Sequence, residues 1–127
     1  MVGIVLVSHS AEIARGLAEL AGQMAGTEVP IEPVGGGPDG GLGTDGDRVR
    51  QALASADAGD GVVVLGDLGS AILTVRHVLD RNGNGKVRLV DAPFVEGAVA
   101  AAVTASAGSV LEDVVRAAEE ARGVAKL

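Results

Sequence analysis

Short apolar runs alternate along this chain with stretches of helical periodicity. The runs Val2–Val7, Val62–Leu65 and Val87–Val90 are rich in β-branched residues, and the first two contain no polar residue. Such runs are typical of strands buried on both faces, as in a parallel sheet covered by helices. A fourth run, Val29–Val34, contains two prolines, which cannot donate a ladder hydrogen bond, so we place this strand at an edge.

Between the runs, apolar residues recur three and four positions apart. Ile13, Leu17, Leu20 and Met24 form one face of an amphipathic helix predicted over residues 11–25. Four more helices are predicted, over residues 45–56, 68 to about 79, 93–106 and from about 110 onward. In the first of these Val49 and Leu53 are expected to point inward, and in the third Pro93 takes the first helical position. Residues 82–85 (Asn-Gly-Asn-Gly) read as a turn, and the glycine tract over 35–43 as a loop.

Strands that alternate with helices in this way predict the fold class. We expect an α/β three-layer sandwich with a mostly parallel sheet, right-handed crossovers and strand order 2-1-3-4. A chain of 127 residues has the length of one domain, so residues 1–127 are predicted to form a single unit.

Composition and charge exclude several classes of function. Zero cysteines exclude disulfides, thiolate zinc sites and cysteine nucleophiles, and we predict no metal site. The formal charge of −7 argues against nucleic acid, since phosphate backbones are bound by positive surfaces. No apolar run approaches the roughly 20 residues that span a bilayer, and no signal peptide is evident, so we expect no membrane association and a cytoplasmic location.

Polar residues follow the first and third predicted strands. His9, flanked by Ser8 and Ser10, ends the first strand, and Asp67 follows the third. In open parallel sheets, ligands bind beyond the carboxyl ends of the strands, where the strand order reverses. With order 2-1-3-4 this point lies between the first and third strands, so His9 and Asp67 are predicted to meet there.

A histidine beside a carboxylate has a defined chemistry. Neutral imidazole attacks through one ring nitrogen if the other holds the proton, and a carboxylate on that second nitrogen fixes the tautomer and stabilises the cationic ring. His9 is therefore the candidate nucleophile and Asp67 its orienting partner. Two plainer interpretations stay open: His9 as a solvated loop residue, and Asp67 as the N-cap of a helix that starts at Leu68.

The segment after Asp67 predicts a phosphate site. Leu68, Gly69 and Ser70 offer main-chain N–H groups at a helix N-terminus, where amides and the helix dipole favour an anion. Gly43 and Thr44 offer a weaker version of this arrangement before the helix over residues 45–56. We count these residues, together with Ser8 and Ser10, as candidate phosphate ligands.

The motifs resemble a known family. Gly3–Ser10, Gly43–Asp45, Asp67–Ala71 and Ala92–Ala98 are similar, in this order, to the mannose-type IIA domains of the bacterial phosphotransferase system, in the form found in the phosphotransferase subunits of dihydroxyacetone kinases. The resemblance implies that His9 carries the phosphoryl group, that Asp67 positions it, and that residues 68–70 hold the phosphate.

The resemblance also implies partners. The carrier protein HPr would donate to His9, and His9 would pass the phosphoryl group to ADP on the subunit DhaL, which acts with DhaK to phosphorylate dihydroxyacetone. The chain would then be a phosphoenolpyruvate–glycerone phosphotransferase subunit and a homodimer. It would bind no cofactor of its own, since the ADP resides on the partner.

Two other functions compete with this one. A IIA domain of a mannose-family sugar transporter shares the chemistry but has a different acceptor. A regulatory module of flavodoxin-like shape would use the same cleft only to hold an anion.

Overall fold

The computed structural model describes residues 1–82 and 85–127 of the chain. The elements in chain order are β1 (Gly3–Ser8), α1 (Ala11–Ala25), β2 (Ile31–Gly35), α2 (Gly46–Ala56), β3 (Val62–Gly66), α3 (Gly69–Asn82), β4 (Val87–Leu89), α4 (Phe94–Ser106), α5 (Leu111–Glu120) and a final 3₁₀ turn (Ala121–Gly123). The turn predicted over residues 82–85 lies partly outside the described residues.

The strands form one parallel sheet in the order β2-β1-β3-β4. This order confirms the predicted fold class, including the edge position of the proline-containing strand. In register, Ser8 pairs with Gly35 and Val7 with Gly66, so β1, β2 and β3 end at the same edge of the sheet. That alignment is what brings the segments after β1 and β3 together.

Helices cover both faces of the sheet. The helices α1, α4 and α5 pack on one face, and α2 and α3 pack on the other. Successive strand side chains point to opposite faces, so in β1 Ile4 and Leu6 enter the first layer of the core, whereas Val5 and Val7 enter the second. All four of these side chains are fully buried, which explains why β1 shows no polar alternation.

The predicted buried face of α1 is wrong except at Leu17. The side chains of Ile13, Leu20 and Met24 are exposed, whereas the buried residues of this helix are Ala14, Leu17 and Ala21. Close approach explains the difference, since a Cβ on Gly35 of β2 would lie 2.6 Å from the Ala11 Cα. A helix packed this tightly turns its small residues toward the sheet, and the larger apolar residues lie beside them.

The other helices follow the predicted bounds to within about three residues, the largest difference being the end of α3 at Asn82. Asp45 is the N-cap of α2, and its side chain accepts from the Asp47 N–H. Pro93 is the N-cap of α4 and not its first helical residue, because its backbone is still extended. Val49 is buried as predicted, and Leu53 is partly buried. Across residues 1–82 and 85–127, no helix has both the length and the apolar character needed to cross a bilayer.

Candidate active site

The structure brings His9 and Asp67 into direct contact. Their positions are 58 residues apart in sequence, yet His9 Nδ1 lies 2.9 Å from Asp67 Oδ1. The Asp67 N–H donates to the Val7 carbonyl at 3.0 Å, which continues the pairing of β1 with β3 up to the site. The His9 side chain is 24% exposed and that of Asp67 15%, so the imidazole is the more open of the two.

Both oxygens of the Asp67 carboxylate accept hydrogen bonds from protein donors. Oδ2 accepts from the Ser8 hydroxyl at 2.7 Å and from the His9 N–H at 3.0 Å. Oδ1 accepts from the Leu68 N–H at 2.7 Å and faces His9 Nδ1. Partial burial raises the pKa of the Asp67 carboxyl, but the hydrogen bonds from Ser8, His9 and Leu68 outweigh it, and the net pKa lies below the ordinary 3.8. Asp67 is therefore ionised at neutral pH.

An ionised Asp67 decides the tautomer of His9. A carboxylate only accepts hydrogen bonds, so the ring nitrogen facing it must carry the proton. Nδ1 is thus the protonated nitrogen, and the lone pair is on Nε2. Nε2 contacts the Ser70 hydroxyl, which stands at the start of α3. The ring nitrogen that carries the lone pair therefore faces the predicted phosphate-binding segment.

The start of α3 offers fewer free amides than predicted. The Leu68 N–H is not free, because it donates to Asp67 Oδ1. Within the part of the chain that the structure describes, the N–H groups of Gly69 and Ser70 have no acceptor. The first turn of α3 carries no acidic side chain. Asp67 is not the helix N-cap, because its only bond toward α3 goes to the adjacent Leu68 and the helix begins at Gly69.

The two serines beside His9 have structural partners. The phosphate contact predicted for Ser8 stays a prediction, but Ser8 is fully buried and its hydroxyl donates to Asp67. It lies behind the imidazole because β1 points its side chain inward at this position. The Ser10 hydroxyl accepts from the Ile13 N–H as the N-cap of α1. Its contact with phosphate stays a prediction.

The loop before α2 supports His9 from its main chain. The Gly43 N–H donates to the His9 carbonyl at 3.0 Å, and the phosphate contact predicted for Gly43 stays a prediction. Thr44 pairs with Gly36 through an isolated parallel bridge, and its Oγ1 is buried with no hydrogen-bond partner among the described residues. Because α2 begins only at Gly46, neither Gly43 nor Thr44 belongs to a helix N-terminus.

A cleft of about 570 Å³ lies beside the Asp67 segment and was missed by sequence reasoning. Its polar lining includes Arg76 of α3 and Asp91 after β4. Arg76 follows Gly69 by seven positions, so both residues lie on one face of α3. This spacing was the signal in the sequence that could have placed Arg76 beside the predicted phosphate-binding segment. In residues 1–82 and 85–127 no three His, Cys, Asp or Glu side chains cluster closely enough to hold a metal ion.

Comparison with known proteins agrees with this fold. A family model described as the PTS system fructose IIA component, EIIA-man, matches residues 3–115. The chain therefore belongs to the EIIA-man family. A crystal structure of a protein of unknown function superposes with a TM-score of 0.83 at 36% identity, covering 94% of this chain and 95% of that one.

Curated relatives of this chain carry the name DhaM. The chain is 41% identical to the DhaM phosphoryl donor subunit of a PEP-dependent dihydroxyacetone kinase from Klebsiella michiganensis, over 96% of this chain and 28% of that protein. It is 42% identical to a second such subunit, from Listeria innocua, over 81% of this chain and 85% of that protein. The chain thus spans about a quarter of the first relative and most of the second. These matches confirm the resemblance predicted from the sequence.

Proposed function

We propose that this protein is a phosphoryl carrier that accepts phosphate on His9 Nε2. The observation that carries the proposal is the 2.9 Å contact between His9 Nδ1 and Asp67 Oδ1, which leaves Nε2 as the basic nitrogen. A loop histidine without such a partner would populate both tautomers. Here the ionised carboxylate selects one of them, and the selected nitrogen faces the start of α3.

The transfer step balances without a cofactor. The Nε2 lone pair attacks the phosphorus of a phosphohistidine on HPr, and a bond forms between Nε2 and phosphorus. The bond between phosphorus and the donor's ring nitrogen breaks, and its electron pair returns to that nitrogen. His9 keeps its Nδ1 proton, so its ring becomes cationic, and the Asp67 carboxylate stabilises that charge directly.

The start of α3 supplies groups that suit the phosphoryl oxygens. The Ser70 hydroxyl is already in contact with Nε2, and the Gly69 and Ser70 N–H groups lie at the positive end of the helix. Preorganised donors of this kind stabilise charge in the transition state because they need no reorganisation during the reaction. We propose these two residues as the phosphate ligands.

For the acceptor we propose ADP held by DhaL, which with DhaK phosphorylates dihydroxyacetone. The names of the curated relatives, phosphoryl donor subunits of dihydroxyacetone kinases, support this choice. The description of the family model favours a second acceptor, the IIB domain of a sugar transporter. The proposal includes a cytoplasmic location and a homodimer. Analytical ultracentrifugation tests the homodimer.

Labelling tests the carrier function. Incubation with phosphoenolpyruvate, enzyme I and HPr should give acid-labile, base-stable phosphate on the wild-type protein and none on His9→Ala. His77→Ala is the matched control, because His77 is an exposed histidine on α3, and it should label normally. Absence of label on the wild type, or label that survives His9→Ala, contradicts the proposal.

A second assay separates the two acceptors. Labelled protein is mixed either with DhaL loaded with ADP or with a mannose-type IIB domain. Rapid loss of label to DhaL, with formation of ATP, supports the dihydroxyacetone kinase role. Transfer to the IIB domain alone would assign the chain to sugar transport.

A further inference from the structure

We propose that Ser8 is a positioning residue that acts on His9 through Asp67. The inference rests on the proposed function for its catalytic consequence, although its structural part concerns the unphosphorylated protein. Ser8 is the only polar residue that is buried among those the structure describes, with 0% exposure, and its hydroxyl lies 2.7 Å from Asp67 Oδ2. A buried hydroxyl at this place stabilises a particular state of the carboxylate behind the imidazole.

The Ser8 hydroxyl donates its single proton to Asp67. The Ser10 N–H donates to Ser8 Oγ at 3.1 Å, and a main-chain N–H can only donate. Ser8 Oγ therefore acts as the acceptor in that bond, and its own proton is free to point at Asp67. This two-bond pattern orients the hydroxyl as a donor and matches an ionised carboxylate.

The Ser8 bond also fixes the plane of the carboxylate. With Oδ2 held by Ser8 and by the His9 N–H, Oδ1 is turned toward His9 Nδ1 and the Leu68 N–H. Loss of the Ser8 donor removes one of the bonds that lower the pKa of Asp67, while the burial that raises it stays. The carboxylate then becomes a weaker and less well oriented partner for Nδ1–H. A larger share of His9 would carry its proton on Nε2, where it blocks attack.

Three variants of the full chain test the role. Ser8→Ala removes the donor, and Ser8→Cys fills the same space with a much weaker donor. Val5→Ala is the control, because Val5 is buried on the same strand but points into the opposite core layer, away from Asp67. The readouts are the ¹⁵N chemical shifts of the His9 ring, which report the tautomer, and the rate of labelling by phospho-HPr.

We expect both Ser8 variants to show a larger Nε2–H fraction and labelling about tenfold slower. Val5→Ala should lose stability and change neither readout. If the Ser8 variants lose stability but keep the wild-type tautomer and labelling rate, Ser8 is only structural and the inference is overturned.

The two proposals fail differently. A wild-type protein that takes no label from phospho-HPr overturns the carrier function. The tautomer of His9 in Ser8→Ala still decides whether Ser8 orients the imidazole, because that measurement needs no phosphoryl donor.

Discussion

The main-chain N–H of Gly43 donates to the carbonyl oxygen of His9 at 3.0 Å, and this bond connects the glycine-rich loop to the histidine of the proposed site. Gly43 has φ of +136°, a conformation that residues with a Cβ rarely adopt. The loop therefore needs glycine here to support His9 from its main-chain side.

Gly43→Ala is expected to disturb the site as well as the loop. A Cβ at this position would meet the Gly37 Cα at 3.3 Å, and the backbone strain should cost about 1–3 kcal/mol of unfolding free energy. Gly40→Ala is the control, since Gly40 also has positive φ but has open space around it and no bond to His9. Urea unfolding and His9 ring shifts should separate them: both variants lose stability, and only Gly43→Ala moves the shifts. Equal shifts in both would contradict the support role.

Asp67→Asn should slow phosphorylation of His9 by about 10²-fold or more, because the amide no longer selects the Nδ1–H tautomer or stabilises the cationic ring. The amide nitrogen cannot accept the bonds from Ser8 and His9 that a carboxylate oxygen accepts. We therefore expect a loss of about 1–3 kcal/mol in stability with the fold retained. Stopped-flow labelling and circular dichroism check the two parts. Wild-type labelling kinetics would show that the carboxylate does not orient His9.

The contribution of Asp67 to the free energy of unfolding should depend on pH. Its pKa in the folded protein lies below the ordinary value of 3.8, so protonation favours the unfolded chain. The contribution is fully present above about pH 4 and is lost as the pH falls through the lowered pKa. Urea unfolding of wild type and Asp67→Asn from pH 7 to pH 3 measures it. The difference in unfolding free energy should stay constant down to about pH 4 and then shrink. A difference that is the same at pH 7 and at pH 3 would mean that the lowered pKa is wrong.

Ser70→Ala should slow labelling about 10- to 100-fold with little effect on the tautomer of His9. The hydroxyl contacts Nε2, where the phosphoryl group would be bound, and it is not part of the Asp67 network. Ser106→Ala removes a hydroxyl that bonds only the Val103 carbonyl on α4, and it should label normally. The same labelling assay compares the two. A Ser70→Ala protein that labels as fast as Ser106→Ala would remove Ser70 from the proposed phosphate site.

The pattern of apolar runs was sufficient to predict a parallel sheet, and the prolines of β2 were sufficient to place that strand at an edge. Strands such as β1 and β3 are buried on both faces and therefore show apolar residues at every position, a signal that is local in sequence. A local pattern is not sufficient for α1, where the side chains of Ile13 and Met24 are exposed and that of Ala14 is buried. Which of two adjacent apolar stripes faces the sheet depends on how closely helix and strand approach, and this is not encoded in periodicity.

Sequence alone determined which residue types could carry the chemistry, because a histidine after the first strand and an aspartate after the third must meet at the reversal of strand order. Tertiary structure alone decided how their atoms are used. In the folded chain the Leu68 N–H donates to Asp67 and the Gly43 N–H donates to the His9 carbonyl. The Ser8 side chain points inward to Asp67, and His9 Nε2 faces Ser70. Hydrogen bonds depend on tenths of an ångström and on the direction of each donor, and only the packed chain sets both.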